Sequence, residues 1–317
     1  MIWLLVLPAL LVILLARELL QVLLARAPGT PRSVVVGTPV ANVSPIPKII
    51  WTYWQTAPPP DFVARCLANW RRLAPDHEVH LLDREHIAPW LDADTLAQGF
   101  DALPAFRQAD WLRVQLLARH GGIWIDASTI LTRDLGWVRA LQAEHQTDYV
   151  GFYIDRFTTR PTLPIVENWF MAAAPGCRFV ADLAHEFDTV LQMGEAAYTA
   201  QLHAQGRCAQ VVQGLDDQHR KYLTMHLAAS SLLDANPQRY SMALLRAEDT
   251  ALSLHAALGW RKRHLFARLA LTPCPAATRL PALVKLRGGD RRVTEQGLAR
   301  GRLLRSSFLA RYLDLKR

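Results

Sequence analysis

No Cys-X-X-Cys pair occurs in the 317 residues, and only four cysteines are present: Cys66, Cys177, Cys208 and Cys274. The missing pair excludes a zinc ribbon and a thioredoxin-type redox motif. Four scattered thiols in so long a chain do not make a disulfide scaffold, which points to a reducing compartment. No repeat with a period of roughly 20–50 residues is present, so solenoid and propeller architectures are excluded. Zinc-finger and RNP-like patterns are missing too, and with them the usual routes to nucleic-acid binding. No Lys or Arg precedes the first apolar run, so the chain lacks the charged start of a secretory signal.

What is there has a globular composition, 51% hydrophobic, enough for one large domain or two small ones. The opening stretch Ile2–Ala16, IWLLVLPALLVILLA, carries no charge; Arg17 and Glu18 interrupt it, and LLQVLLA follows before Arg26. Such a run falls short of the about 20 residues a span requires. With Arg17 and Glu18 paired or near the interface, the segment to Ala25 is long enough. Arg17, Arg26 and Arg32 all follow the run, which by the positive-inside tendency keeps the body in the cytoplasm. The expectation is therefore a membrane anchor helix over residues 1–26, a single N-terminal span in the plasma (inner) membrane. A signal peptide with a weak start and a helix lying in the interface are the alternatives.

Charge is unevenly spread. From Arg261 to Arg317 there are fifteen Lys/Arg against Asp290, Glu295 and Asp314, so this segment carries +12 of a net +8 and the remainder −4. A basic tail suits an anionic lipid surface or a phosphate-bearing substrate; an ordinary solvated face is the plain alternative.

Residues 27–45 are rich in Pro, Gly, Ser and Thr and read as a linker. Lys48–Trp54, KIIWTYW, reads as a buried strand stopped by Pro58–Pro60. Helical spacing follows over Asp61–Leu73, with Phe62, Cys66, Leu67 and Trp70 on one side. His77–Leu82 alternates as a second strand. Pro104 opens the next helix, and Gly121 and Gly122 end it. Ile123–Ile125 is then a short central strand, Tyr149–Ile154 and Asn168–Ala173 are further strands, and Phe179–Met193 a helix. Beyond Asp234 only helical pieces near 295–313 are legible. Alternating strands and helices indicate an α/β domain with a mostly parallel sheet.

The run HGGIWIDAS (His120–Ser128) carries the chemistry. In an open α/β sheet ligands bind beyond the C-terminal strand ends, where Asp126 stands. A carboxylate there is a hard oxygen ligand for Mg²⁺ or Mn²⁺ bridging to phosphates. In an extended segment Ser128 points the same way as Asp126. Sixteen residues before Asp126 stands Asp110, with Arg113 at i+3 on the same helix face. Arg suits a diphosphate, and Asp suits a sugar hydroxyl pair. Singly, each has an ordinary explanation: an i,i+3 Asp–Arg pair stabilises a helix by about 0.2–0.5 kcal/mol, and Asp126 alone is a plausible strand-end cap.

In this order the motifs resemble a known family. IPKIIWTYW (Ile46–Trp54) is similar to the start of glycosyltransferases related to the yeast initiating mannosyltransferase and the sugar-binding DXD proteins. RQADWLRVQLLARHGGIWIDAS (Arg107–Ser128) is similar to their second block. The closer resemblance is to the capsular polysaccharide synthesis proteins, whose ENWFMAA-like tract matches Glu167–Ala173. The resemblance implies a Rossmann-like type A glycosyltransferase fold over residues 46–260. A basic segment, 261–317, would close that domain or contact membrane.

It further implies a nucleotide-sugar-dependent hexosyltransferase of capsular or surface polysaccharide synthesis, acting with retention. Its partners would be a nucleotide-sugar donor, a glycan or lipid-linked glycan acceptor, and a membrane; nucleic acid is not among them. Position by position, Trp54 would stack on the donor base and Asp110 would hold the ribose or donor sugar. Arg113 would meet the donor sugar or phosphates, acting with Asp126 in catalysis. Asp126, with Ser128, would ligate a divalent metal, Mn²⁺ or Mg²⁺.

The sequence departs from the wider pattern at Ser128, an uncharged hydroxyl where the second Asp of DXD belongs. His219, Asp216, Asp217 and His226 are candidates to complete a metal site, and Lys285 and Arg287 for a Gly-hinged loop closing over phosphates. A non-catalytic scaffold of a polysaccharide-assembly complex is the alternative function. An anionic-lipid-binding protein working through its basic tail is a third.

Overall fold

The computed structural model describes residues 2–91, 99–207 and 224–315. From the N-terminus its elements are α1 (Ile2–Leu24), β1 (Ser33–Gly37), β2 (Ile49–Tyr53), α2 (Asp61–Leu73), β3 (Glu78–Leu82), α3 (Ala105–His120), β4 (Gly122–Ile125), β5 (Thr129–Leu131), α4 (Gly136–His145), β6 (Tyr149–Ile154) and β7 (Ile165–Ala173). They continue with α5 (Arg178–Met193), α6 (Glu195–Ala204), α7 (Thr224–Ala235), β8 (Ser241–Arg246), α8 (Ser253–Ala257), α9 (Lys262–Ala270), β9 (Leu283–Lys285), α10 (Gly288–Ala299) and α11 (Phe308–Tyr312). These form two compact units, a larger one of residues 31–127 and 134–247 and a smaller one of residues 1–30, 128–133 and 248–317.

The larger unit is built on a seven-stranded sheet of order β1-β8-β6-β7-β4-β2-β3. The pairs β2·β3, β2·β4 and β6·β8 are parallel, and β7 and β1 run against their neighbours. Five strands thus point one way, the mixed α/β sheet with a mostly parallel grain that alternating strands and helices call for. Both faces are covered, as such a sheet needs. On one face Trp51, Trp124 and Met171 pack with Leu112, Leu116, Phe179 and Phe187 of α3 and α5. On the other, Trp137 of α4 stacks on Phe170 with ring centroids 5.4 Å apart.

Residues 33–37, inside the stretch read as linker, form β1, whose Val34–Val36 pair antiparallel with Ala243–Leu244 and their neighbours. The turn residues around this run masked a short β-branched strand.

Two glycines set the geometry of β4. Gly121 closes α3 at φ +66°, and its N–H bonds Leu117 O. Gly122, at φ +98°, lies so close to β2 that a Cβ would stand 2.9 Å from Ile49 O and 3.0 Å from Trp51 Nε1. Only glycine meets both the backbone conformation and the close approach.

The smaller unit contradicts the expected membrane helix. Among the described residues no helix is long and apolar enough to cross a membrane. In α1 the interrupting Glu18 is engaged by Arg261 and His264, and Gln21 Nε2 donates to Ala257 O at 3.1 Å. Arg268 Nε donates to Ala25 O at 3.0 Å, and Val22 and Ala25 are buried. The polar residues that split the apolar run thus dock the helix on α9. The single span, the inner-membrane location and the cytoplasmic placement derived from it lose their basis.

Behind this helix pair, His255 Nε2 lies 3.0 Å from Asp290 Oδ2, and both side chains are buried. Burial lowers the His255 pKa below the usual histidine range, against the pull of Asp290. Burial alone would raise Asp290, but the hydrogen bonds from His255 and Arg287 outweigh it and hold this carboxyl well below the ordinary range.

Two predictions follow from these arrangements. Gly122→Ala is expected to destabilise the protein by about 1–3 kcal/mol through a strained φ and the clash with β2, read from chemical denaturation; an unchanged midpoint would remove the close-approach argument. The second concerns acid. A histidine with a lowered folded pKa contributes stability present above about pH 6.5 and lost below it. A depressed carboxylate contributes stability present above about pH 4 and lost as pH falls through its folded value. The melting temperature should therefore fall in both windows, and Asp290→Asn should remove the lower one while lowering stability at pH 7.

Candidate functional site

Parallel pairing puts the C-terminal ends of β2 and β4 side by side. The register Trp51↔Trp124, continued by two residues, brings Asp126 level with Tyr53. Trp54 follows at the same edge, half-buried, its N–H donating to Leu82 O at 2.9 Å. Asp126 is fixed from the other side by β7: its N–H donates to Trp169 O at 2.9 Å. The strand-end position read from HGGIWIDAS is thus where the carboxylate sits.

Helix α3 delivers the rest. Arg107, Asp110 and Arg113 recur every third residue and share the face turned to β4 and β7. The Arg113 guanidinium reaches Asp110 Oδ1 and Asp126 Oδ1, each at 3.3 Å. It also donates to Asn168 O at 2.6 Å and to Ala109 O at 3.2 Å, and lies 5.1 Å from the centroid of the Trp124 ring. Trp124 Nε1 donates to Asp126 Oδ1 at 3.0 Å. Asn168 Nδ2 donates to Asp110 Oδ1 at 3.1 Å, and Arg107 meets Asp110 Oδ2 at 3.3 Å. Arg107 continues to Glu195, 3.2 Å away, and to the Thr224 hydroxyl.

Depth separates these residues into two roles. The Asp110 and Arg113 side chains are 7% and 5% exposed, and that of Asp126 is 27%. Asp126 alone of the three presents a carboxylate to solvent; the other two form the brace behind it. Burial pushes the Asp110 carboxyl above its ordinary range, against the pull of first Arg113 and then Arg107.

Sequence reasoning passed over Arg107, Asn168, Glu167 and Trp124 as contributors. Asn168 and Glu167 were visible as a polar pair within an otherwise apolar strand. Their partners lie 58 and 59 residues away, a distance no local pattern bridges. His226, weighed as a metal ligand, is buried with Nε2 3.3 Å from Glu167 Oε2, and its Nδ1 has no hydrogen-bond partner among the described residues. Asp216, Asp217 and His219 lie outside the described residues.

Ser128 departs from expectation. The segment after β4 is not extended: Ala127 and Ser128 form a turn. Within the smaller unit the Ser128 hydroxyl donates to Leu286 O at 2.8 Å and lies 3.4 Å from Lys285 Nζ. Lys285 is not on a hinged loop but on β9, where it pairs with Thr129 of β5. Arg287 caps α10, bonded to Asp290.

The donor set does not suit a divalent ion. One Asp126 oxygen already accepts from Trp124 and Arg113, and the second position of the motif is a neutral hydroxyl facing an ammonium. Among the described residues no three His, Cys, Asp or Glu side chains are grouped to hold a metal.

With this geometry in hand the chain's relatives are informative. Residues 40–189 match the family model described as capsular polysaccharide synthesis protein. That segment, a little under half the chain, contains Trp54, Asp110, Arg113, Asp126 and Asn168. The chain is 34% identical over 151 residues to the O-glycosyltransferase braB of Annulohypoxylon truncatum, covering 42% of this chain and 35% of that protein. It thus spans about a third of the length of that curated relative. Among solved structures it is similar to the PaToxG glycosyltransferase at 12% identity and a TM-score of 0.37, with 80% of this chain and 86% of that one covered.

Arg113→Ala is expected to cost about 3–5 kcal/mol, because it strands two carboxylates against a buried face. Adding Asp110→Asn should recover part of that loss. Urea denaturation of the single and double variants checks this; equal stability of both would show that the brace is not electrostatic.

Proposed function

We propose that this protein is a glycosyltransferase that moves a sugar from a nucleotide-sugar donor to a growing glycan of a capsular or other surface polysaccharide. The observation that carries the reading is the part-exposed Asp126 at the C-terminal end of β4, locked by Arg113, Trp124 and the backbone of β7. Ligands of open α/β sheets bind at that edge. The family match over the same residues and the O-glycosyltransferase relative support the class.

In this reading Asp126 contacts the donor, a carboxylate oxygen accepting from a sugar hydroxyl. Trp54, at the neighbouring strand end, offers a flat apolar face to the base. Asp110 and Arg113 are positioning residues: they fix the Asp126 rotamer, and the Arg113 charge offsets the carboxylates around it. Transfer breaks the anomeric C–O bond through an oxocarbenium-like state. The bonding pair leaves with the phosphate oxygen, while the acceptor oxygen forms the new bond and gives up its proton. Pre-set charges that favour the departing diphosphate lower that barrier. A type A fold and retention of anomeric configuration are the finer expectations of the resemblance and belong to this proposal.

The test is turnover of a panel of UDP- and GDP-sugars, as hydrolysis or transfer. Asp126→Asn is expected to lower the rate about 10²–10³-fold, the range for losing one well-placed electrostatic group, with melting temperature nearly unchanged. A protein that turns over no donor, and whose Asp126 variants match wild type in every assay, is instead a scaffold of a polysaccharide-assembly complex.

A further inference from the structure

Within the larger unit, strand β7 is irregular where it passes Asp126. It pairs with β6 as Gly151↔Met171 and then as Tyr153↔Val166, so that one residue of β6, Phe152, faces four of β7, Glu167–Phe170. A bulge re-aims the side chains it contains. Here three consecutive residues fasten three different parts of the unit. Glu167 turns to helix α7, its Oε2 3.3 Å from His226 Nε2. Asn168 turns to α3: its carbonyl accepts from Arg113 at 2.6 Å, and its Nδ2 donates to Asp110 Oδ1 at 3.1 Å. The Trp169 carbonyl accepts the Asp126 N–H at 2.9 Å. Helices α3 and α7 both lie against α5 in the same core cluster. A regular strand, whose neighbouring side chains point to opposite faces, would send only one of Glu167 and Asn168 towards them.

The Glu167 and His226 side chains are both buried. Two residues before His226 on α7, the Thr224 hydroxyl meets Arg107. The start of α7 is thus tied to β7 by one residue and to α3 by the other. A buried acid–histidine pair is a poor source of net stability, since an apolar pair of similar volume often serves as well. What it supplies is a fixed distance and direction between the two elements that carry it. Without it the bulge is free to relax towards regular pairing. Asn168 and the Trp169 carbonyl would then shift, and with them the Arg113 fork and the backbone of Asp126. We infer that His226 and Glu167 are positioning residues of the donor site: joined between α7 and β7, they keep the bulge that sets Asn168 and Trp169 and, through these, the Asp126 carboxylate. The inference rests on the donor reading above and deepens it, and neither residue touches the donor.

The experiment is steady-state turnover of the UDP- and GDP-sugar panel by the full chain, with His226→Leu and His226→Gln each made in the wild-type and in the Asp126→Asn background. Glutamine keeps an N–H near the Nε2 position; leucine removes it. In the wild-type background His226→Leu should lower kcat about tenfold or more, since a displacement of about 1 Å passed on from a distant residue is enough for such a loss. KM should move about twofold at most, the pattern of an interaction made in the transition state. His226→Gln should retain most of the rate. In the Asp126→Asn background His226→Leu should cost little more, because coupled residues are not additive. Melting temperatures are measured in parallel. A folded His226→Leu variant that turns over as wild type does, an equal loss in both backgrounds, or a His226→Gln variant no better than His226→Leu would each overturn the inference. If His226→Leu does not fold, His226→Asn, which keeps an amide but withdraws it from Glu167, takes its place in the same comparison. Wild type that turns over no donor sinks the donor reading and this inference with it, whereas turnover with additive losses sinks the inference alone.

Discussion

The Arg113 guanidinium is where helix α3 and strands β4 and β7 are joined, and the position of every other side chain around Asp126 follows from it. One planar fork meets Asp110, Asp126 and the Asn168 carbonyl, with the Trp124 ring beneath it. Arg suits this task because its charge is permanent and its donors are fixed in one plane. A lysine ammonium would satisfy one of those acceptors well and the others poorly. The arrangement also explains why two acids tolerate each other at this depth. Asp110 is shared between Arg107 and Arg113 and takes a further hydrogen bond from Asn168, so the negative charge behind Asp126 is met on three sides.

That cluster can form only if α3 and β4 meet the sheet at the right angle, which is the work of Gly121 and Gly122. The chain reverses from helix to strand with no intervening loop, and β4 lies against β2 with no room for a side chain at Gly122. Trp51 Nε1 uses the space, donating to Gly121 O at 2.9 Å. A strand entered this tightly has little freedom to slip in register, and a one-residue slip would turn the neighbouring side chains to the opposite face. The short apolar strand is therefore a means of holding one carboxylate at a defined height on the sheet edge.

Much of this was legible in the sequence, for physical reasons that differ by element. Helices α2 and α3 and strands β2, β4 and β6 announced themselves through apolar spacing bounded by Pro or Gly, because each is specified by its own local pattern. Asp126, Asp110 and Arg113 could be picked out because helix and strand periodicities fix their direction within one or two turns. Asn168, Glu167 and Arg107 could not be, since their partners come from distant strands and helices. Strand β1 was hidden because three valines among turn residues carry too short a signal, and only pairing with β8 makes them a strand. The reading of α1 failed for an opposite reason: hydropathy was summed along the chain, while Glu18 and Gln21 are spent on contacts with α9 and the residues flanking it.

The basic tail shows the same limit of counting. Its charge of +12 suggested a surface awaiting an anion, yet several of its cations are already committed within their own unit. Arg261 meets Glu18, Arg287 meets Asp290, Arg291 meets Glu295, and Arg268 caps the end of α1. These cations hold α1, α9 and α10 together, so their function is architectural and their charge is largely cancelled at short range. Lys285 is held in the same unit as well. It stands on β9, shielded from solvent, with its ammonium 3.4 Å from the Ser128 hydroxyl.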